Sequence, residues 1–315
     1  MAGANKDWGS KVILMKLETT EGTDAAPVVT ANALRVLNYQ PQFMDADQKT
    51  RPIEKAFFGA DPVAMAAFKR GATFDMEMHG AGTATGLPAW ATMLQLAGFG
   101  APVVGASSVV ISPITAGIKS GTHYAWLDDL LLIASGGRAS VSFKIEDDEI
   151  PIFSFNYLGR PPTALATQSV PGTPTITGYV DPVLSTSENT TFSLGGFSPG
   201  LRRLEMAING DLQFRSLIGP QDRVNFRNRA PSGTVLMEIP DLTAKDYFAN
   251  IRPGTTMPAQ IVQGSAVGNI VQIDMPKLQI SGNVEFSEEQ GKLMGSFPVT
   301  ALANAGNDEI VFTTK

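Results

Sequence analysis

Cysteine is absent from this 315-residue chain, and histidine occurs only at His79 and His123. The first absence excludes disulfides, thiol nucleophiles and thiolate metal sites, and the second leaves little material for a transition-metal centre. Charge is also sparse: charged residues make up 17%, against roughly 25% in ordinary globular proteins, and the formal net charge is −6. That acidic balance argues against a strong, sequence-reading DNA binder, which carries a basic patch, but not against a surface past which DNA must slide. No apolar run approaches the ~18–20 residues that span a bilayer, and Leu130–Ala134 reads as core-strand material. The opening Met-Ala-Gly-Ala-Asn-Lys-Asp-Trp lacks the basic segment, apolar run and cleavage site of a signal peptide, so the product is expected to stay in the cytosol that makes it.

What is present is enough apolar material for folded domains, 43% of residues, over a length that suits about two of them. A Pro/Thr/Gly-rich stretch at 159–176 divides the chain near its midpoint, and the same order of features runs on both sides. The expected domains are 1–160 with an N-terminal arm and 177–315, joined by a linker at 161–176. In the first, residues 11–17 and 34–43 read as strands and 44–70 as a long charged hairpin excursion. Ala72–His79 alternates cleanly, with Phe74, Met76 and Met78 on one face and Thr73, Asp75, Glu77 and His79 on the other, as in a half-wet antiparallel strand. A helix is expected at 88–97, stopped by Gly98. Strands follow, the last two forming a hairpin across Asp147-Asp148. In the second half Leu201-Arg202-Arg203-Leu204 echoes Leu34-Arg35-Val36-Leu37, a second excursion occupies 213–232, and 233–239 echoes 71–78. A second helix is then expected at about 242–251, before another strand series with a turn at 288–291.

Chemistry-bearing motifs are weak. Gly80-Ala-Gly82-Thr-Ala-Thr-Gly86 lies between strand and helix but has one residue too many for a dinucleotide loop and no acidic residue closing a βαβ unit, so it reads as a flexible connection. His79 and His123 with Asp128 and Asp129 match no triad spacing, and His79 reads as the polar-face end of its strand. Glu146, Asp147, Asp148 and Glu149 sit at a hairpin tip without calcium-loop spacing. Arg215, Arg223, Arg227 and Arg229 with Phe214 and Phe226 suit nucleic acid superficially. The first excursion carries Asp45, Asp47, Glu54 and Asp61, and opposite-signed loops suit docking between copies better. No catalytic residue, metal or cofactor is expected.

The chain resembles the major tail tube proteins of long, flexible-tailed bacteriophages, in the type with two fused tube domains. The resemblance is carried by Lys16-Leu-Glu-Thr-Thr-Glu-Gly-Thr-Asp24, Thr50-Arg-Pro-Ile-Glu-Lys-Ala-Phe-Phe-Gly-Ala60, Leu87-Pro-Ala-Trp90 with Leu94 and Gly98, Met275-Pro-Lys-Leu-Gln279 and Asn307-Asp-Glu-Ile-Val-Phe312. Relatives often have cysteine where this chain has Ala97. The resemblance implies a mainly β fold of two tandem β-sandwich or barrel-like units, each with a short flanking helix and a long hairpin excursion. It also implies trimeric, pseudo-hexameric rings stacked into a virion tail tube for DNA ejection. Implied partners are other copies of the chain, a tape measure protein inside the tube, tail-tip and tail-terminator proteins, and DNA in transit; no membrane insertion is implied. Asp75, Glu77 and Glu238 are the candidate lumen residues. Arg51, Glu54, Lys55, Phe57, Phe58, Arg215, Arg223, Arg227 and Arg229 are the candidate inter-ring contacts, on excursions expected to be mobile before assembly. The rival reading is a β-sandwich decoration or adhesion module on the virion surface, which the duplicated excursions disfavour.

Overall fold

The computed structural model describes residues 8–162, 166–218 and 222–315. The first half runs β1 (Lys11–Leu17), β2 (Ala33–Leu34), β3 (Leu37–Thr50), β4 (Val63–Glu77), α1 (Ala91–Leu96), β5 (Val103–Val104), β6 (Val109–Ile111), β7 (Gly121–Leu127), β8 (Leu130–Glu146), β9 (Ile152–Arg160) and β10 (Ala166–Thr167). The second runs β11 (Thr190–Leu194), β12 (Leu201–Ala207), β13 (Leu212–Arg215), β14 (Arg223–Phe226), β15 (Ser232–Glu238), a 3-10 turn at Phe248–Asn250, β16 (Thr256–Gln263), β17 (Val271–Ile280), β18 (Glu285–Glu289), β19 (Lys292–Leu302) and β20 (Val311–Thr314).

Pairing repeats between the halves. The first half is laced β1-β7-β8-β9-β4-β3 and the second β11-β16-β17-β19-β15-β12, all antiparallel. Long β8 serves two sheets, pairing with β7 through its first part and with β9 through its second. In the second half β17 and β18 divide that work, and β18 continues the sheet on β19. The halves join where β12 adds to β8, Leu204 opposite Ile145 and Met206 opposite Phe143. The result is one row of eight strands, β3-β4-β9-β8-β12-β15-β19-β18. It is open at both ends, so the single chain makes no closed barrel.

Alternation drives this row. Phe74 and Met76 on β4, Val141, Phe143 and Ile145 on β8, Phe153, Phe155 and Tyr157 on β9, and Leu204 and Met206 on β12 are all buried in one core that both halves share. Each fully buried aromatic side chain contributes roughly 1.5–3 kcal/mol. Phe312, near the end of the chain, lies 5.4–5.6 Å from the rings of Phe99, Phe143 and Phe153, so the last strand locks the first half's core. A smaller cluster of Leu14, Val29, Ala33, Trp126 and Leu131 covers the other side of β1 and β7.

Helix α1 forms where expected and ends at Gly98, whose φ of +89° suits glycine and whose added Cβ would meet the Phe226 ring at 2.8 Å. The helix expected at 242–251 is instead a run of turns closed by the single 3-10 turn. Leu242 is exposed, and the core is met only from Tyr247 onward, by Tyr247, whose hydroxyl donates to the Leu194 carbonyl, Phe248 and Ile251, too short a stretch to stabilise a helix. The glycine segment after β4 is also not a loose connection. The Gly80 amide donates to Asn269 Oδ1 and the Gly82 amide to the Gly268 carbonyl, and a Cβ at Gly80 would sit 2.0 Å from the Gly268 oxygen. The loop is a close backbone contact between the halves, which is why it is built of glycine. His79, expected at an open polar face, is buried beyond the end of β4 with its ring edge-on to Tyr179 at 4.4 Å.

Candidate functional site

Two surfaces stand out: the polar face of the eight-strand row and the hairpin arm of β3 and β4. The polar face is the product of the alternation that builds the core. Thr73 and Asp75, Ser140 and Ser142, Ser154 and Asn156, with Asn38, line a shallow depression on it. Asp75 accepts hydrogen bonds from Asn38 Nδ2 at 2.8 Å and Ser154 Oγ at 2.6 Å, so its carboxylate is held flat on the sheet. Lys144 and Arg203, cations on this face, each stand beside a carboxylate: Glu146 at 2.5 Å and Glu205 at 4.0 Å. The hydrogen bond from Lys144, with Arg203 and Arg202 nearby, holds the Glu146 carboxyl below its ordinary range. The face is therefore hydroxyl- and amide-rich, with Lys144 and Arg203 set beside acids.

The other lumen candidates sit differently. Glu77 is covered: Tyr179 donates its hydroxyl to Glu77 Oε2, and Arg35 lies 3.9 Å from the same carboxylate. Arg35 also stacks 4.5 Å over the Tyr179 ring and reaches Asp181 at 3.7 Å. Burial and the Glu77 acceptor together push the Tyr179 hydroxyl pKa up. Glu238 ends β15 opposite Met294, at the position matching Glu77, and its amide donates to the Gly200 carbonyl.

The arm extends β3 and β4 beyond the sheet to Thr50 and Val63. Its stem is tied by Lys69 to Asp45 at 3.3 Å and Asp47 at 3.7 Å, and its tip by Lys55 to Asp61 at 2.7 Å. Arg51 and Glu54 are exposed. Phe57 and Phe58 are 74% and 106% exposed, and Phe43, Met44, Ile53, Val63, Met65 and Phe68 are also open to solvent. So much unshielded apolar side chain marks an interaction surface.

The second excursion behaves otherwise. Its hairpin β13-β14 folds back on the first half, with Val224 buried and the Val224 carbonyl accepting from Arg138. Arg215 and Arg223 are exposed, Arg227 lies 3.6 Å from Asp211, and Arg229 is committed inside the chain to Glu309, Asn307 and the Ile114 carbonyl.

Residues the sequence reading did not single out hold these surfaces in place. Arg138 joins Glu21 at 2.9 Å to β14, linking the first loop to the second half's hairpin. Glu18 is 5% exposed, and its two oxygens take four hydrogen bonds: from the Gly22 amide and Ser120 Oγ, and from Thr122 Oγ1 and the Gly136 amide. The Lys16–Asp24 segment is thus a carboxylate-pinned loop.

Among the described residues no cluster of His, Asp and Glu has the arrangement of a metal site, and no helix is long and apolar enough to cross a membrane. No curated protein matches the chain in sequence. A family model described as phage tail tube protein matches residues 10–301, nearly the whole length, and the chain therefore belongs to the phage tail tube proteins, a structural family of the bacteriophage virion.

Proposed function

We propose that this tail tube protein assembles into rings of three chains whose eight-strand rows join edge to edge, and that the rings stack into the conduit for DNA ejection. The observation that carries the reading is the joint between β12 and β8: within one chain, one half already extends its sheet onto the other, while both ends of the row stay open. Open edges are liabilities in a monomer and binding surfaces in a ring. Each half contributes four strands, so three chains make a wall of twenty-four. At a spacing of ~4.8 Å per strand the backbone circle is about 37 Å across before strand tilt widens it, which leaves room for duplex DNA.

In this reading the polar face with Asp75 lines the channel and the shared apolar core lies outside it. A wall of hydroxyls, amides and paired charges offers DNA no unpaired cation row, and phosphate-seeking cations would slow its passage. Residues 1–160 and 177–315 form the two tube domains, with 161–176 as the linker. The arm, through Arg51, Glu54, Phe57 and Phe58, meets the adjacent ring, and Arg215, Arg223 and Arg227 remain candidates for the same contact. A tape measure protein fills the channel before ejection, tail-tip and terminator proteins close the ends, and synthesis takes place in the host cytoplasm. Electron microscopy and mass measurement of the purified protein test this. Rings or tubes with three chains per ring support it, and a monomer that stays single even with nucleating tail tips contradicts it.

A further inference from the structure

The internal joint supplies a template for the pairing of edges between chains. Matching the two halves through their strand pairs sets β4 on β15 and β9 on β19, with Phe74 in the place of Val235 and Phe155 in that of Phe297. The same match puts Tyr39 in the place of Leu204, Gln40 in that of Glu205 and Pro41 in that of Met206. On the receiving side it puts Phe286 in the place of Phe143 and Ser287 in that of Lys144. β12 and β3 are thus equivalent edges, and so are the later part of β8 and β18. One pair is joined in the chain; among the described residues, β3 has only β4 beside it and β18 only β19.

We infer that β3 of one chain adds antiparallel to β18 of the next, with Gln40 opposite Ser287 and Pro41 opposite Phe286. The burial pattern agrees. Phe143, beneath the internal joint, is 1% exposed, whereas its counterpart Phe286 is 59% exposed. Ile208, whose amide extends the internal joint to the Val141 carbonyl, is 1% exposed, whereas its counterpart Phe43 is 43% exposed. Both apolar residues are open where the partner strand is missing and buried where it is present.

The two joints differ in charge. Across the internal joint Glu205 faces Lys144 and Arg203 faces Glu146, two opposite-sign pairs. Across the joint between chains the first becomes Gln40 facing Ser287, with no charge. The external joint is therefore weaker and conditional: Pro41 has no N–H where Met206 has one, so fewer backbone bonds and the two apolar residues hold it. This makes ring closure dependent on concentration or on a nucleating surface.

The inference rests on the tube reading and has its own test. The chain has no cysteine, so a Gln40→Cys/Ser287→Cys variant carries only the designed pair, whose Cβ atoms directly opposite in an antiparallel ladder lie within reach of a disulfide. Rings are first verified by microscopy under reducing conditions, then oxidised. Covalent dimers and trimers are expected, with a much lower yield for Gln40→Cys/Glu285→Cys, two residues out of register. Intact rings that give no crosslink, or prefer the shifted pair, overturn the inference and leave the tube reading standing. Wild-type protein that forms no ring even on tail tips overturns both. If the cysteine variant does not assemble, charge substitutions decide. Gln40→Glu with Ser287→Lys should lower the concentration needed for assembly by roughly 1.5- to 5-fold per joint, fading with salt. Gln40→Lys with Ser287→Lys should raise it, and an equal effect of both variants refutes the register.

Discussion

Replacing Glu18 tests whether the carboxylate-pinned loop underlies the first half's fold. In Glu18→Gln one side of the new amide keeps an oxygen and its two donors, while the other presents an NH2 to a hydroxyl and a backbone N–H. Ser120 or Thr122 rotates to accept, but the Gly22 or Gly136 amide cannot. Leaving one buried donor unsatisfied costs about 1–3 kcal/mol. Glu18→Ala removes the acceptor for all four donors and costs more, about 3–6 kcal/mol even if water replaces some of the lost bonds. With an unfolding entropy near 2.1 cal/mol/K per residue, a chain of this length loses roughly 3 °C of melting temperature for every 2 kcal/mol. Thermal unfolding followed by near-ultraviolet circular dichroism should give a drop of about 2–5 °C for Gln and at least twice that for Ala. The loop should also become the first site of proteolysis. A Glu18→Ala protein that melts within a degree of the wild type would mean that the four bonds to Glu18 do not hold the loop.

Three further outcomes follow from the geometry. Asp75→Lys alone, leaving Glu77 under Tyr179, should permit tube formation but slow DNA ejection at low salt, with the slowing lost as salt rises; unchanged ejection in well-formed virions places this face elsewhere. His123 is fully buried between Tyr39 and Tyr157, and burial, with Arg70 nearby, lowers its pKa to about 3. Its contribution is therefore complete above the unfolded value near 6.5 and is lost as pH falls from there towards 3, on the order of 3–5 kcal/mol over the window; His123→Phe should flatten that slope, and an unchanged slope would assign the acid sensitivity to other groups. Hydrogen exchange should be fast along 45–63 in the free protein and slow in tubes, whereas 223–226 should be protected in both states, because Val224 is already buried; matching behaviour of the two segments would contradict the division between arm and docked hairpin.

The alternation of Ala72–Met78 was legible because period-two patterning follows directly from one-sided burial, and it located the polar face with Asp75. Register was not. The sequence echo sets Leu37 against Leu204, but irregularities in the β3-β4 ladder shift the match to Tyr39. The cover over Glu77 comes from Tyr179, 102 positions away, and the commitment of Arg229 to Glu309 spans 80, separations that no local pattern encodes. The two excursions read alike as charged loops, yet the first projects with Phe57 and Phe58 exposed and the second docks with Val224 buried, a difference that depends on distant parts of the chain. The turns at 242–251 meet the core only through Tyr247, Phe248 and Ile251, a shorter apolar stretch than α1 has, a difference visible only once Leu242 is found outside.

Whether three chains close their eight-strand rows into one wall with the Asp75 face inward can be read from a high-resolution cryo-electron microscopy map of assembled tubes. Three chains and twenty-four strands per ring are expected, with Asp75, Ser142 and Ser154 facing the channel and Phe143 and Phe286 buried at equivalent joints. Six chains per ring, or a wall with that face turned to the outer solvent, would contradict that arrangement.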